Sequence, residues 1–243
     1  MNVDDLTLVR ALEGKQSAVF TAQQMAVVMG SGAGSVSVGL NRIVRRGVLV
    51  RLMRGRYALP SADVLAVASG IYVPSYISLL AAFEHHGTTT QSSRMIDVVN
   101  PVHSGRMQFE LESGRFIIRF IKVDPSLVYG YEKIYMGNAA VFLADRERAV
   151  VDALLFPGYV PLDEAAACIS GGIDCRKAVD YAKRTGRQSV MKRLGYLLSA
   201  EGVACSPEDF GALSNNYVPL DPKLPRSGKR DPVWRIIVNR VIE

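Results

Sequence analysis

Cysteine and histidine are both scarce in this chain, and their scarcity removes whole classes of chemistry. Three cysteines, Cys168, Cys175 and Cys205, stand among 243 residues. They are too few and too irregularly spaced for a disulfide framework or a structural zinc site. Reduced thiols in a cytoplasmic protein are the expectation. Of the three histidines, His85 and His86 are adjacent and His103 follows Pro101 in a loop. No H-E-x-x-H spacing exists and no third ligand is near, so structural or surface roles are expected and no metal or cofactor is. Asp4 and Asp5 occupy the place of a basic n-region, so no signal peptide is expected. One stretch lacks charge altogether: Val64 to Phe83, 20 residues, about the length of a membrane span. Ser69, Gly70, Pro74 and Ser75 interrupt it, and Pro74 disfavours helix at Val73. Two short buried elements are expected there instead of a span. Internal repeats and low-complexity segments are also missing.

The most informative absence is of acid. RIVRRGVLVRLMRGRYALP, residues 42–60, carries six arginines and no carboxylate. Residues 1–60 hold eight Lys/Arg against three acids, a net of +5 out of +6 for the whole chain. The remaining residues are nearly balanced. A polyanion partner is therefore expected at the N-terminal end. The apolar share of 49% and charged share of 21% read as globular.

The pattern around those arginines gives them a frame. Asn2 or Asp4 can cap a helix running to Gly14, with Leu6, Val9 and Leu12 on one face. Thr21-Ala-Gln-Gln24 fits a capping box, and Met25, Val28 and Met29 stripe the helix it opens. After a turn at Ser31 to Gly34, Ser35 can cap a third helix with Val36, Leu40, Ile43 and Val44 buried. Ser37, Asn41 and Arg45 fall on the opposite face at i, i+4 and i+8, flanked by Arg42 and Arg46. Gly47 ends that helix. Val48 to Leu52 and Arg56 to Leu59 then read as strands about a Met53-Arg54-Gly55 turn. Three helices followed by a basic hairpin is the order of a winged helix-turn-helix. In it Ser35, Ser37, Asn41, Arg42, Arg45 and Arg46 would meet the major groove of duplex DNA, and Arg51, Arg54 and Arg56 the phosphates or minor groove. A rival lies in Gly30 and Gly32, which imitate a dinucleotide-binding loop. Ser35 stands where the third glycine belongs, and Arg51 and Arg54 occupy the region of the ribose-binding acid.

The rest reads as a mixed α/β domain of antiparallel strands and helices, so the fold class expected is α+β, with domains at 1–60 and 61–243. Helices are expected at 61–70 and from Ser75 to His86. Strands follow at Met95–Asn100, Met107–Leu111 and Phe116–Ile121, with a turn at Ser113-Gly114, and another strand at Ala140–Leu143. Asp145 should cap a helix to Leu155, with an i, i+3 ion pair to Arg148. Further helices are expected near 161–170, 174–185 and 187–201, and a last strand within Val233–Val241. Ser78, Glu84 and His86 make no triad by spacing. The basic tail, Lys223, Arg226, Lys229 and Arg230, is open to two readings, a nucleic-acid contact or a solvated face.

Several segments, in order, carry a resemblance. Gly47-Val-Leu-Val-Arg-Leu-Met-Arg-Gly-Arg-Tyr-Ala-Leu59, within residues 3–60, resembles the winged-helix start of the AbiEi antitoxins. Ser75-Tyr-Ile-Ser-Leu-Leu-Ala-Ala-Phe-Glu-His-His-Gly87 looks like that family's "SLxxALxxHG" helix. Phe116-Ile-Ile-Arg-Phe-Ile-Lys122, Val128-Tyr-Gly-Tyr131 and Asp145-Arg-Glu-Arg-Ala-Val-Val-Asp152 are similar to its "FxFxxIK", "FGY" and "xxEKAxxDxL" segments, with Arg148 where lysine is usual. Arg193-Leu-Gly-Tyr-Leu-Leu198 matches "RLGYLL". The resemblance implies a repressor that binds inverted repeats in its own operon. It also implies an antitoxin countering an AbiEii-like nucleotidyltransferase toxin without a stable complex, and no catalytic residues. Residues beyond about 202 match least. Two other readings stand beside it: a winged-helix regulator of other genes with a ligand-sensing C-terminal domain, and a nucleotide-dependent enzyme.

Overall fold

The computed structural model describes residues 4–30, 33–91 and 93–242, without the side chains of 33–35. Contact density resolves two compact α+β units that interleave along the chain. Unit 1 is Met1–Ile77, Arg94–Val123 and Glu132–Leu143; unit 2 is Ser78–Ser93, Asp124–Tyr131 and Ala144–Glu243. Pro60 therefore lies inside the first unit, although residues before it bury a cluster of their own.

That cluster comes from α1 (Asp5–Glu13), β1 (Phe20–Thr21), α2 (Ala22–Val28), α3 (Ala33–Arg45), β2 (Val50–Met53) and β3 (Arg56–Ala58). Leu8, Leu12, Phe20, Met25, Val36, Leu40, Ile43, Leu49, Tyr57 and Leu59 form its centre. Asp4 holds the N-cap position of α1; Asn2 lies outside the described residues. The expected Leu6–Val9–Leu12 face is corrected, because Leu6 is 57% exposed and Leu8 is buried. Leu8 and Leu12 are spaced i, i+4 and share one side of the helix, which rotates Leu6 outward. The capping box of α2 is formed: the Gln24 N–H donates to the Thr21 hydroxyl at 3.1 Å, and the Thr21 N–H to Gln24 Oε1 at 2.7 Å. Helical residues 22–28 stand where the dinucleotide reading needed a strand, which removes that reading; Gly32 lies outside the described residues. The third helix starts at Ala33, so the backbone of Ser35 is already helical and Ser35 is not its cap. The expected turn therefore does not include residues 33 and 34, which are helical. At the other end the Val48 N–H reaches back to the carbonyl of Ile43 (3.2 Å) across Gly47, whose φ of +76° closes the helix in a Schellman pattern. The hairpin β2–β3 pairs Arg51 with Tyr57, and β1 adds Phe20 against Tyr57, giving a sheet ordered β1-β3-β2. The sequence did not announce β1, which is two residues long.

Beyond residue 60, α4 (Val64–Gly70) starts at Asp63, whose carboxylate accepts from the N–H groups of Leu65 and Ala66. The expected helix from Ser75 is corrected. Its first part is β4 (Tyr76–Ser78), and only Leu80–His85 is helix (α5). Every residue of β4 is buried, so its run shows no strand alternation, and a short apolar run has no period to separate strand from helix. Further strands are β5 (Met95–Asn100), β6 (Gly105–Leu111), β7 (Gly114–Lys122), β8 (Tyr131–Met136) and β9 (Ala139–Ala144). They form one sheet ordered β6-β7-β5-β4-β9-β8. The expectation of antiparallel strands is corrected to a mixed sheet: β6–β7 is an antiparallel hairpin, but β5–β7 and β4–β9 are parallel. Local patterns specify hairpins, whereas β5 meets β7 only after the chain has passed through β6. Asp97 of β5 sits opposite Arg119 of β7, which donates to its two carboxylate oxygens from Nε (2.5 Å) and Nη2 (2.9 Å). Burial nevertheless pushes the Asp97 carboxyl above its usual range.

In unit 2 the helix α6 (Arg146–Leu155) is buried from Glu147 to Leu154. It packs against α5, α7 (Leu162–Ser170), α8 (Cys175–Arg184) and α9 (Gln188–Ala200). A small sheet, β10 (Val218–Pro219), β12 (Ile236–Val238) and β11 (Lys229–Asp231) in that order, closes the chain. Gly195 lets α9 meet Trp234: a Cβ there would stand 2.1 Å from the indole. Among the described residues no helix is long and apolar enough to cross a membrane.

Candidate nucleic-acid interface

The apolar stripe of α3 decides what its other side shows. Val36, Leu40 and Ile43 are buried, and Ser37, Asn41, Arg42, Arg45 and Arg46 are all exposed. Ser37 to Arg45 spans about 12 Å along the axis at the α-helical rise. The side chain of Ser35 lies outside the described residues. On the hairpin, Arg51 and Arg54 are exposed and Arg56 half-buried, while Leu52 and Tyr57 face the core. Gly55, at φ +74°, makes the tight turn beside Arg54. Among the described residues no side-chain hydrogen bond or ion pair holds Ser37, Asn41, Arg42, Arg45, Arg51, Arg54 or Arg56. Arg46 differs. Its guanidinium pairs with Asp5 of α1 at 2.5 Å, so part of its charge ties two helices together. Guanidinium groups left without carboxylates can grip phosphate oxygens in a fork, and asparagine and arginine can read base edges.

Two charged constellations of unit 2, around Asp145 and around Arg148, close on themselves. Asp145 caps α6 by accepting from the Arg148 N–H at 2.8 Å. The expected Asp145–Arg148 ion pair is corrected: Arg148 pairs one turn on with Asp152, at 2.7 Å, both wholly buried. Asp152 also accepts from the Ser78 hydroxyl at 2.7 Å, and Arg148 donates to the carbonyl of Leu127 at 3.1 Å. The guanidinium carbon of Arg148 lies 4.2 Å from the centre of the Tyr129 ring. Nearby Lys177 bridges Asp145 (3.1 Å) and Glu147 (3.0 Å). Burial pushes the Glu147 carboxyl up, but the Asp174 N–H and Lys177 outweigh it and hold it below its usual value. Burial and the Asp145 charge push the Tyr181 hydroxyl up to about 12. No solvent reaches Ser78, Arg148 or Asp152, so this network organises the unit's interior rather than meeting a substrate.

Ser78, Glu84 and His86 do not converge. Ser78 turns to Asp152, Glu84 is exposed, and His86 Nε2 lies 2.8 Å from the carbonyl of Ala144. His103 stacks on Tyr72 with ring centres 5.0 Å apart. The Ser78–Asp152 and Lys177–Glu147 pairs escaped the sequence because 74 and 30 positions separate their members.

No protein-family model and no curated protein matches the chain. Its fold is similar to that of the crystal structure of the RV2827C protein from Mycobacterium tuberculosis, with a TM-score of 0.60 over 95% of this chain and 89% of that one. The two are 14% identical, a likeness of fold alone.

Proposed function

We propose that residues 1–60 are a winged helix-turn-helix that binds duplex DNA, with α3 in the major groove and the β2–β3 hairpin as the wing. The observation that carries this reading is the unpaired cationic face of α3 and the hairpin, on a frame whose order of helices and β1-β3-β2 sheet suits that motif. Asn41 and Arg45 read bases; Arg51, Arg54 and Arg56 hold phosphates. Through its resemblance to the AbiEi antitoxins, the protein is read further as a non-enzymatic repressor of its own operon. It counters an AbiEii-like nucleotidyltransferase toxin, with residues 61–243 serving that second task.

Two measurements test these claims. If five or six phosphates are neutralised, log K for DNA falls against log salt with a slope of about −4.5 to −5.5; a slope near zero rejects the DNA reading. For the antitoxin role, the chain is co-expressed with a nucleotidyltransferase gene adjacent to its own. Restored growth supports the role, and toxicity undiminished by the intact chain rejects it.

A further inference from the structure

Residues 214–219 of unit 2 are gripped by five cations. Lys192, buried on α9, donates from Nζ to the Ser214 carbonyl (2.8 Å), the Ser214 hydroxyl (2.9 Å) and the Asn216 carbonyl (2.5 Å). Arg193 donates to the carbonyl of Pro219 at 3.0 Å, and Arg226 to that of Tyr217 at 2.8 Å. The guanidinium carbons of Arg230 and Arg235 lie 5.2 and 5.9 Å from the centre of the Tyr217 ring. Among the described residues none of these five cations has a carboxylate partner. The two neighbouring acids are engaged elsewhere. Asp221, whose charge also acts on Arg193, binds Arg240 at 3.1 Å, and Asp231 accepts from the Trp234 N–H at 2.7 Å.

The loop that presents this charge is built rather than loose. Residues 222–230 are all exposed, yet Asn239 Nδ2 donates to the carbonyls of Asp221 (2.8 Å) and Pro225 (3.0 Å). At Gly228, φ is +149° and a Cβ would stand 2.2 Å from the Val238 carbonyl, so glycine alone permits the return over β12. β11 then pairs with β12, fixing Lys229 and Arg230 on the strand. A buried ammonium answered only by neutral oxygens is costly. Burial, with Arg235 beside it, weakens the hold of Lys192 on its proton. Such an excess is relieved when an anion approaches.

We propose that this surface binds single-stranded nucleic acid, its phosphates on Arg226, Lys229 and Arg230 and a base against Tyr217 and Arg235. An aromatic ring set among guanidinium groups suits exposed base faces, which a duplex hides, and the loop offers no helix to enter a groove. Its residues are other than those proposed to bind duplex DNA within residues 1–60.

The test uses the full chain carrying Arg45→Ala, Arg51→Ala and Arg54→Ala, which silences the N-terminal face. Fluorescence anisotropy then follows a labelled oligouridylate of about 12 nucleotides, within the span one such site covers. Binding should persist in this background, with a salt slope of about −2 for three phosphates on a single strand. Arg226→Ala with Arg230→Ala should lower affinity about tenfold or more at an unchanged melting temperature. Arg230→Glu alone, at an exposed side chain with no hydrogen bond among the described residues, should do the same. Tyr217→Leu should cost about fivefold or more with the slope unchanged. Equal binding of oligothymidylate supports a site blind to the sugar; preference for the ribose strand supports one that senses the 2′-hydroxyl. Unchanged affinity in Arg230→Glu overturns the proposal. So does a duplex of equal length bound as tightly, or binding to phosphatidylserine vesicles without binding to the oligonucleotide.

Discussion

Arg45 and Arg148 are the same residue type on two helices, one half-exposed and one buried all round, and they are used in opposite ways. Arg45 stands in water with no carboxylate to answer it, alongside Arg42, Arg51 and Arg54. Arg148 is sealed from water with Asp152 across one helical turn and a carbonyl and an aromatic ring around it. A charge held in the interior must be matched nearly atom for atom, because desolvation is otherwise uncompensated. A charge left unmatched on a surface contributes little to folding and is available to a ligand. Stability and binding should therefore respond to different arginines.

The largest expected effect falls on the buried pair. Arg148→Ala leaves the Asp152 carboxylate buried beside Ser78, and urea unfolding should show a loss of about 3–5 kcal/mol. A loss under about 1 kcal/mol would mean that water enters and the pair is not sealed. Next come Asn41→Ala and Arg45→Ala, each costing about 1–3 kcal/mol on the operator, little on random DNA, and within about 0.5 kcal/mol of nothing in unfolding. Arg54→Ala should instead weaken both DNAs alike; equal losses on both DNAs for all three substitutions would reject the recognition face. Lys177→Met sits between the two regimes, since its side chain is 38% exposed. It should cost about 1 kcal/mol after solvent screening. Lys177 helps hold the Glu147 carboxyl below its ordinary value, so its contribution is present above the carboxylate range. It should disappear as pH falls through that range. Unfolding of both proteins at neutral and acid pH reads this out, and a pH-independent difference would assign the effect to packing. Smallest is Arg46→Ala, whose exposed pair with Asp5 is worth below about 1 kcal/mol to folding. Its DNA-binding loss should be smaller than that of Arg45→Ala, because part of its charge is already answered.

Elements with strong local signals were legible. The capping box at Thr21, the Asp145 cap, strand Met95–Asn100 and the three helices between 162 and 200 follow from periodicity and end signals, which act within a few residues. The exposed face of α3 was legible for the same reason: placing Val36, Leu40 and Ile43 inside leaves Ser37, Asn41 and Arg45 outside. The misplaced helix from Ser75 arose where burial is complete. In the charge-free stretch both strand and helix are consistent with an all-apolar run, and Tyr76–Ser78 became a strand because β5 and β9 flank it in the sheet.

By itself, then, the sequence determined the charge asymmetry, the amphipathic helices and the hairpin with its arginines, because hydrophobic period and turn chemistry are local properties. Tertiary structure alone decided the parallel pairing of β5 with β7, and the sealing of Arg148 against Asp152 and Ser78. It alone withdrew part of Arg46 to Asp5, and it alone gathered Lys192, Arg193, Arg226, Arg230 and Arg235 around residues 214–219. Apart from the one-turn step from Arg148 to Asp152, these join groups well separated along the chain, and whether a charge is matched depends on the neighbours that folding brings to it.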